Sequence, residues 1–127
     1  MIPASTDPPE VTFTRFVRDW FRLLAQGAFV DAASRLDEPN SYGELWNAVK
    51  IQIVLRDYAR SETVELTDPD KIAGDGRPSL IEFADGDGYS FEHDVPLGGE
   101  WSDLTAQFEF LRRPNGYAVV LHDIHVL

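Results

Sequence analysis

SDLTAQFEFLRRPNGYAVVLHDIHVL, residues 102–127, alternates apolar and polar side chains on both sides of Pro114-Asn115-Gly116. Period two means strands, and Asn-Gly suits the type I′ turn of a tight hairpin. With Asn115-Gly116 as a two-residue loop, Phe110 faces Leu121, Arg112 faces Val119, Glu109 faces His122 and Phe108 faces Asp123. Leu104, Ala106, Phe108, Phe110, Val119 and Leu121 then share one face, which reads as core. The same register puts Asp123 and His125 on that face, where an unpaired carboxylate is costly. A β-bulge near His122 would turn Ile124 and Val126 inward and Asp123 outward. The other solution leaves Asp123 facing the concave side as a polar group in a pocket. The need to bury Ile124 and Val126 favours the bulge.

Working back from this ribbon, Leu80–Ala84 and Tyr89–Val95 flank Asp85-Gly86-Asp87-Gly88, a second hairpin. Thr63–Leu66 reads as a short strand closed by the turn Thr67-Asp68-Pro69-Asp70. Upstream of Ser61 the period is helical. Phe13, Phe16, Val17, Trp20, Phe21 and Leu24 make one stripe, with Asp7 as cap, Pro8 at the first helical position, Glu10 at capping-box spacing and Gly27 as the stop. A shorter helix is expected over Phe29–Leu36. Ser41 and Glu44 repeat the capping-box spacing and open a third segment, Glu44–Tyr58. Its rows Leu45, Val49, Ile53 and Ala48, Ile51, Leu55, Tyr58 favour helix over the strand-like alternation at Val49–Ile53.

Helices first and antiparallel strands afterwards predict an α+β fold. Two to three N-terminal helices pack on a curved antiparallel sheet of four to five strands that ends in a long hairpin. Residues 1–9 are expected as a flexible segment and 10–127 as a single domain.

The chain has 127 residues, 43% hydrophobic and 26% charged, ordinary for a globular domain. It contains no cysteine, which excludes thiol catalysis and disulfides and suits a reducing cytoplasm. The first ten residues carry no basic side chain, unlike a signal peptide. Its net charge is −11. Nucleic acid and anionic membranes are poor partners for such a surface, because both need a basic footprint.

No motif fixes a reaction. His122 and His125 point to opposite faces of a regular strand and His93 is the only other histidine, so neither a metal nor another cofactor is expected. Pro96 stands where a calcium loop beginning at Asp85 would need its closing Glu. Among the carboxylates, Asp57, Asp103 and Asp123 are the candidates for a desolvated acid. The loop acids Asp68, Asp70, Asp75, Asp85, Asp87, Glu92, Asp94 and Glu100 would, if they shared an edge, steer a basic protein. Trp46 and Trp101 adjoin turns and, with Tyr42, could serve as aromatic anchors.

Leu23-Leu24-Ala25-Gln26-Gly27-Ala28-Phe29-Val30-Asp31-Ala32-Ala33 resembles the first two helices of the cone-shaped, cystatin-like α+β fold of the nuclear-transport-factor-2-like and ketosteroid-isomerase-type families. The closing hairpin, from Trp101-Ser102-Asp103-Leu104-Thr105 to His122-Asp123-Ile124-His125-Val126, resembles a group of small bacterial proteins. Some relatives of that type are thought to be immunity proteins against polymorphic toxins. The resemblance implies the fold and a third helix packed beside the first. The pocket acid and Tyr/Asp oxyanion hole of the isomerases have no matching set here, so it lends no catalytic residue.

The expectation is a non-enzymatic interaction module, an immunity-type inhibitor of a basic toxin, using Tyr42, Trp46, Trp101, Asp68, Asp70, Asp85 and Asp87. The alternative is a small-molecule binder or an isomerase- or hydrolase-type enzyme, with Asp103 or Asp123 as base and Tyr58 or His93 as donor. A homodimer through the exposed sheet face is compatible with either.

Overall fold

Two consecutive prolines decide where the first helix starts. Pro9 pushes the residue before it out of helical space, so Pro8 is extended (φ −55°, ψ 142°) and α1 runs Pro9–Ala25, one residue later than expected. Asp7 makes no cap; its carboxylate lies 3.3 Å from Arg15. Phe13, Val17, Trp20, Phe21 and Leu24 are buried, and Gly27, at φ +75°, ends the helix. The computed structural model describes residues 1–60 and 65–127.

α2 is Phe29–Ser34 and α3 is Ala48–Ala59. The expected cap by Ser41 and Glu44 is overturned: Asn47 is the cap, its side chain accepting from the Lys50 N–H at 2.8 Å. Buried Asn40 is the reason. Its Oδ1 accepts from the Tyr42 and Glu44 N–H groups at 3.0 Å each, holding that stretch as a turn, and its Nδ2 donates to the His122 carbonyl at 3.1 Å. Ile51 and Leu55 are buried on α3, whereas Leu45, Val49 and Ile53 face outward.

The strands are β1 (Ile2–Pro3), β2 (Ser79–Glu82), β3 (Gly88–Leu97), β4 (Glu100–Arg113) and β5 (Gly116–Val126), with a 3₁₀ turn at Pro69–Lys71. They form one curled antiparallel sheet in the order β1-β5-β4-β3-β2. The start of the segment expected to be flexible is therefore an edge strand, with Ile2 paired to Tyr117. Gly116 makes that approach possible, since a Cβ there would collide with the Ile2 carbonyl. Of the strand expected over Thr63–Leu66, Thr63 and Val64 lie outside the described residues. Leu66 makes an isolated bridge to Leu97. No helix among the described residues is long and apolar enough to cross a membrane.

In the long hairpin Arg113 pairs with Gly116, so the loop is Pro114-Asn115 and Phe110 faces Val119 rather than Leu121. A shift of two keeps every side chain on its face. The bulge is present. Phe108 pairs with Leu121 and Gln107 with Asp123, leaving His122 as the extra residue and Ile124 buried opposite Ala106. Val126, expected inside, is 51% exposed at the last position of β5, although its partner Leu104 is buried.

The concave face is filled. Phe13 stacks on Phe110 (4.1 Å, 4°) and meets Tyr117 edge-on at 4.9 Å. Trp20 meets Phe108 edge-on at 5.2 Å, and its indole N–H donates to the Ala32 carbonyl at 2.9 Å. Each such aromatic pair adds about 0.5–1.5 kcal/mol beyond its buried area.

Candidate functional site

Strand alternation divides the chemistry between two faces. Leu80, Phe91, Phe108 and Leu121 lie inward; the next positions outward are Ser79, Glu92, Gln107 and Asp123, a row across four strands. Ile81, Ser90 and Glu109 form the neighbouring row. From Pro78 onward the chain has nine acidic residues and only two basic ones, Arg112 and Arg113 at one end of the sheet. The helix-free face thus carries Glu92, Glu109 and Asp123 with no Lys or Arg among the strand positions between them.

The histidines border this face. His122 Nδ1 lies 3.8 Å from Glu109, and His125 Nδ1 lies 3.3 Å from Asp123, whose other oxygen accepts from the Ile124 N–H at 2.8 Å. Asp123 accordingly sits on the outer side and does not line a pocket in the concave face. Tyr42, 80% exposed, lies with its ring 5.6 Å from that of His122 at the rim. At the far end a groove of about 360 Å³ is lined by Arg77, Glu92, Asp94, Asp103 and Thr105, with His93, Val126 and Leu127 completing it. Arg77 closes one wall: its Nε and Nη2 donate to the two oxygens of buried Asp94 at 2.8 and 3.1 Å. That bond helps hold Arg77 in the left-handed region (φ 51°), a conformation costing about 1–2 kcal/mol for a side-chain-bearing residue.

Asp103 stands on an irregularity of β4. The pairing passes from Asp94–Thr105 to Pro96–Trp101, so Ser102, Asp103 and Leu104 oppose Val95 alone. Tyr58, in the last turn of α3, donates to the Asp103 carboxylate. The bond to Asp103 raises the phenol above its ordinary pKa, which makes Tyr58 a weaker acid. Two of the four candidates from the enzymatic alternative, Tyr58 and Asp103, therefore meet, at the surface. His93 borders the groove, but its ring is fully buried against Phe21, Phe91 and Trp101 at ring distances of 5.3, 6.2 and 5.3 Å. Its Nδ1 donates to the Asp94 carbonyl at 2.8 Å, leaving Nε2 buried without a partner. Desolvation pushes its pKa down, with a further contribution from Arg18. It is a core histidine, not a donor to Asp103 or Asp123.

The loop acids do not share an edge. Asp85 accepts from the Asp87 N–H at 2.9 Å inside the β2–β3 turn, at the Gly88 end of β3. Asp68 caps the 3₁₀ turn and Asp70 lies within it, and nearby Thr67 bonds the Pro96 carbonyl and the Gly99 N–H at the opposite end. Ten residues of strand separate the two groups, about 30 Å. Asp70 is held by Arg22 at 2.8 Å and Arg18 at 3.4 Å, and the Arg22 bond lowers its pKa. Asp68 accepts from the Asp70 N–H at 2.9 Å.

Two expected anchors are also packed away. Trp46 is buried in the core cluster, with the Lys50 ammonium 4.2 Å above its ring. Trp101 is half-buried and donates to the Ala73 carbonyl at 3.0 Å. Tyr42 alone of the three is exposed. What sequence reasoning missed was Glu109 as part of a face; strand parity, applied outward as well as inward, contains that signal. Among the described residues no group of three or more His, Asp or Glu side chains is arranged to hold a metal ion.

No curated protein and no solved structure matches the chain. A family model matches residues 21–127, from within α1 to the last residue, so the chain belongs to the family described as Domain of unknown function (DUF7668).

Proposed function

We propose that the protein is a non-enzymatic interaction module whose acidic sheet face covers a basic protein, in the manner of an immunity-type inhibitor masking a basic toxin. The carrying observation is the outer face itself: Glu92, Glu109 and Asp123 on adjoining strands, with Glu92 and Asp103 lining the groove of about 360 Å³ beside the Arg77–Asp94 pair. Tyr42 gives the rim an aromatic contact. Such a field speeds capture of a cationic surface and disfavours self-association, since a copy of the same face would bring like charges together. The order of elements, helices before a curled antiparallel sheet, supports the likeness to the nuclear-transport-factor-2-like cone. A cytoplasmic location fits the cysteine-free chain.

The test is retention of native-cell proteins on the immobilised chain at low salt. Proteins of pI above about 9 should bind and elute with salt. Glu92→Lys, Glu109→Lys and Asp123→Lys together should cut retention more than about ten-fold, while Asp85→Lys with Asp87→Lys should leave it. Equal retention by the two variants, or bound proteins that are not basic, overturns the reading.

One contact favours a second reading, a small-molecule binder or an isomerase- or hydrolase-type enzyme: Tyr58 and Asp103 meet beside the groove. Asp103 would be the base. A ligand whose binding is lost in Asp103→Asn, but not in Glu109→Gln, would establish it.

A further inference from the structure

β2 is the last strand of the sheet. Among the described residues, Ser79–Glu82 make backbone ladder bonds to β3 and none on the other side. An open edge of this kind is a template for another strand. β2 is short, preceded by Pro78 and ending in Glu82, but it carries no lysine and no bulge, and Ile81 stands 64% exposed on its outer side. Inward, a mostly apolar groove of about 450 Å³ lies between Pro78, which leads into β2, and the α1 flank formed by Val11, Thr14 and Arg18. The arginines along that flank are engaged. Arg18 bonds the Pro69 carbonyl at 3.0 Å, Arg22 is paired with Asp70 at 2.8 Å and Arg15 with Asp7 at 3.3 Å.

We propose that the free edge of β2 accepts an extended segment of the basic partner as a sixth strand; the charge part of this inference rests on the acidic-face reading above. An antiparallel segment meets Ile81, Leu80 and Ser79 in that order. Opposite outward Ile81 it wants a β-branched residue. Opposite Leu80 its side chain turns inward toward the groove, so that residue is apolar. Opposite Ser79 it wants a long cation, because Ser79 is short and its pairing partner on β3 is Glu92. The recognised pattern is thus β-branched, apolar, then Lys or Arg. Backbone bonds supply the affinity and these alternate side chains supply the selection.

The probe is an acetylated, amidated hexapeptide, Thr-Ile-Val-Lys-Thr-Thr, with amide hydrogen exchange and titration calorimetry as readouts. Saturable binding that protects amides of Ser79–Glu82 is expected. Two peptides N-methylated on alternate residues should differ, one binding and one not, because only alternate N–H groups point at β2. Glu92→Gln should weaken binding about two- to five-fold. Absence of binding, binding without β2 protection, or equal loss on both methylation patterns overturns the proposal. So does β2 protection that rises with protein concentration alone, since the edge would then serve a second copy. If the peptide fails while the acidic-face variants still lose basic proteins, strand addition falls and the proposed function stands. If those variants lose nothing while the peptide protects β2, the reverse holds.

Discussion

The two faces of one sheet are built from alternate residues of the same strands and obey different physics. Inward, Phe91, Phe108 and Phe110 are fully buried and packed against Phe13, Val17 and Trp20 of α1. Outward, one residue away in each case, stand Glu92 and Glu109. The inner side chains contribute through area and fit, at about 25 cal/mol per Å² of apolar surface removed from water. The outer ones are part-exposed and keep some of their hydration, so they contribute little to stability and their charge is available for binding. A strand can therefore be read twice, once for what holds it and once for what it offers.

The widest gap between the faces is expected at one pair of neighbours. Phe110→Ala removes a ring stacked on Phe13 and should cost about 3–5 kcal/mol in denaturant unfolding. Glu109→Gln should change stability by less than about 0.5 kcal/mol. Comparable costs at the two positions would mean that the outer face is covered and is not free for a partner.

Asn40 comes next, because it ties the α2–α3 connection to the edge of β5. Removing its side chain in Asn40→Ala leaves the His122 carbonyl and two N–H groups without their partner. A loss of about 1–3 kcal/mol is expected. Tyr42 should also lose its fixed place beside His122, and basic-partner retention should drop in the same variant. Retained binding would remove Tyr42 from the interface.

His93 supplies a pH signature that belongs to the inner face alone. Its folded pKa lies below the ordinary value of 6.5, so below about pH 6.5 the unfolded chain takes up a proton that the folded chain refuses. Stability is full above that pH and falls as pH drops toward the folded pKa, by up to about 1.4 kcal/mol per unit. His93→Leu should flatten this part of the profile in urea melts between about pH 6.5 and 5. An unchanged slope would mean that the burial of His93 does not carry the effect.

Period-two alternation in Leu104–Leu121 was enough to find the inner face, and the need to bury Ile124 was enough to find the bulge at His122. A turn misplaced by two in the register changed no side chain's face, which is why the core was legible although the loop was not. The start of α3 was not legible. Ser41 and Glu44 have capping-box spacing, yet Asn40 spends its amide on that stretch, and a bond to His122 across 82 positions leaves no local trace. The acidic site was half legible. Charge was evident, but whether acids from separate loops share an edge depends on strand direction, and β3 places Asp85 and Asp68 about 30 Å apart. Trp46 and Trp101 were misjudged for a similar reason: adjoining a turn says nothing about which way the turn folds over.

The smallest effect expected is at Tyr58, where the two faces come closest to sharing a residue. Its ring packs on the core from α3, while its hydroxyl reaches Asp103 on the solvent side of the β4 irregularity. The folded phenol has a raised pKa, so the bond favours the folded state below about pH 10, and that contribution is lost as pH rises past the unfolded value. Because the hydroxyl end is exposed, Tyr58→Phe should barely move the unfolding midpoint at pH 7, and should remove any extra loss above about pH 10. The same variant separates the readings of the site. As a surface tie, the hydroxyl can be deleted with basic-partner retention intact. If Tyr58→Phe abolishes binding of a small molecule that the parent chain holds, the Tyr58–Asp103 pair is working chemistry, and the acidic groove beside it belongs to a ligand instead of a protein.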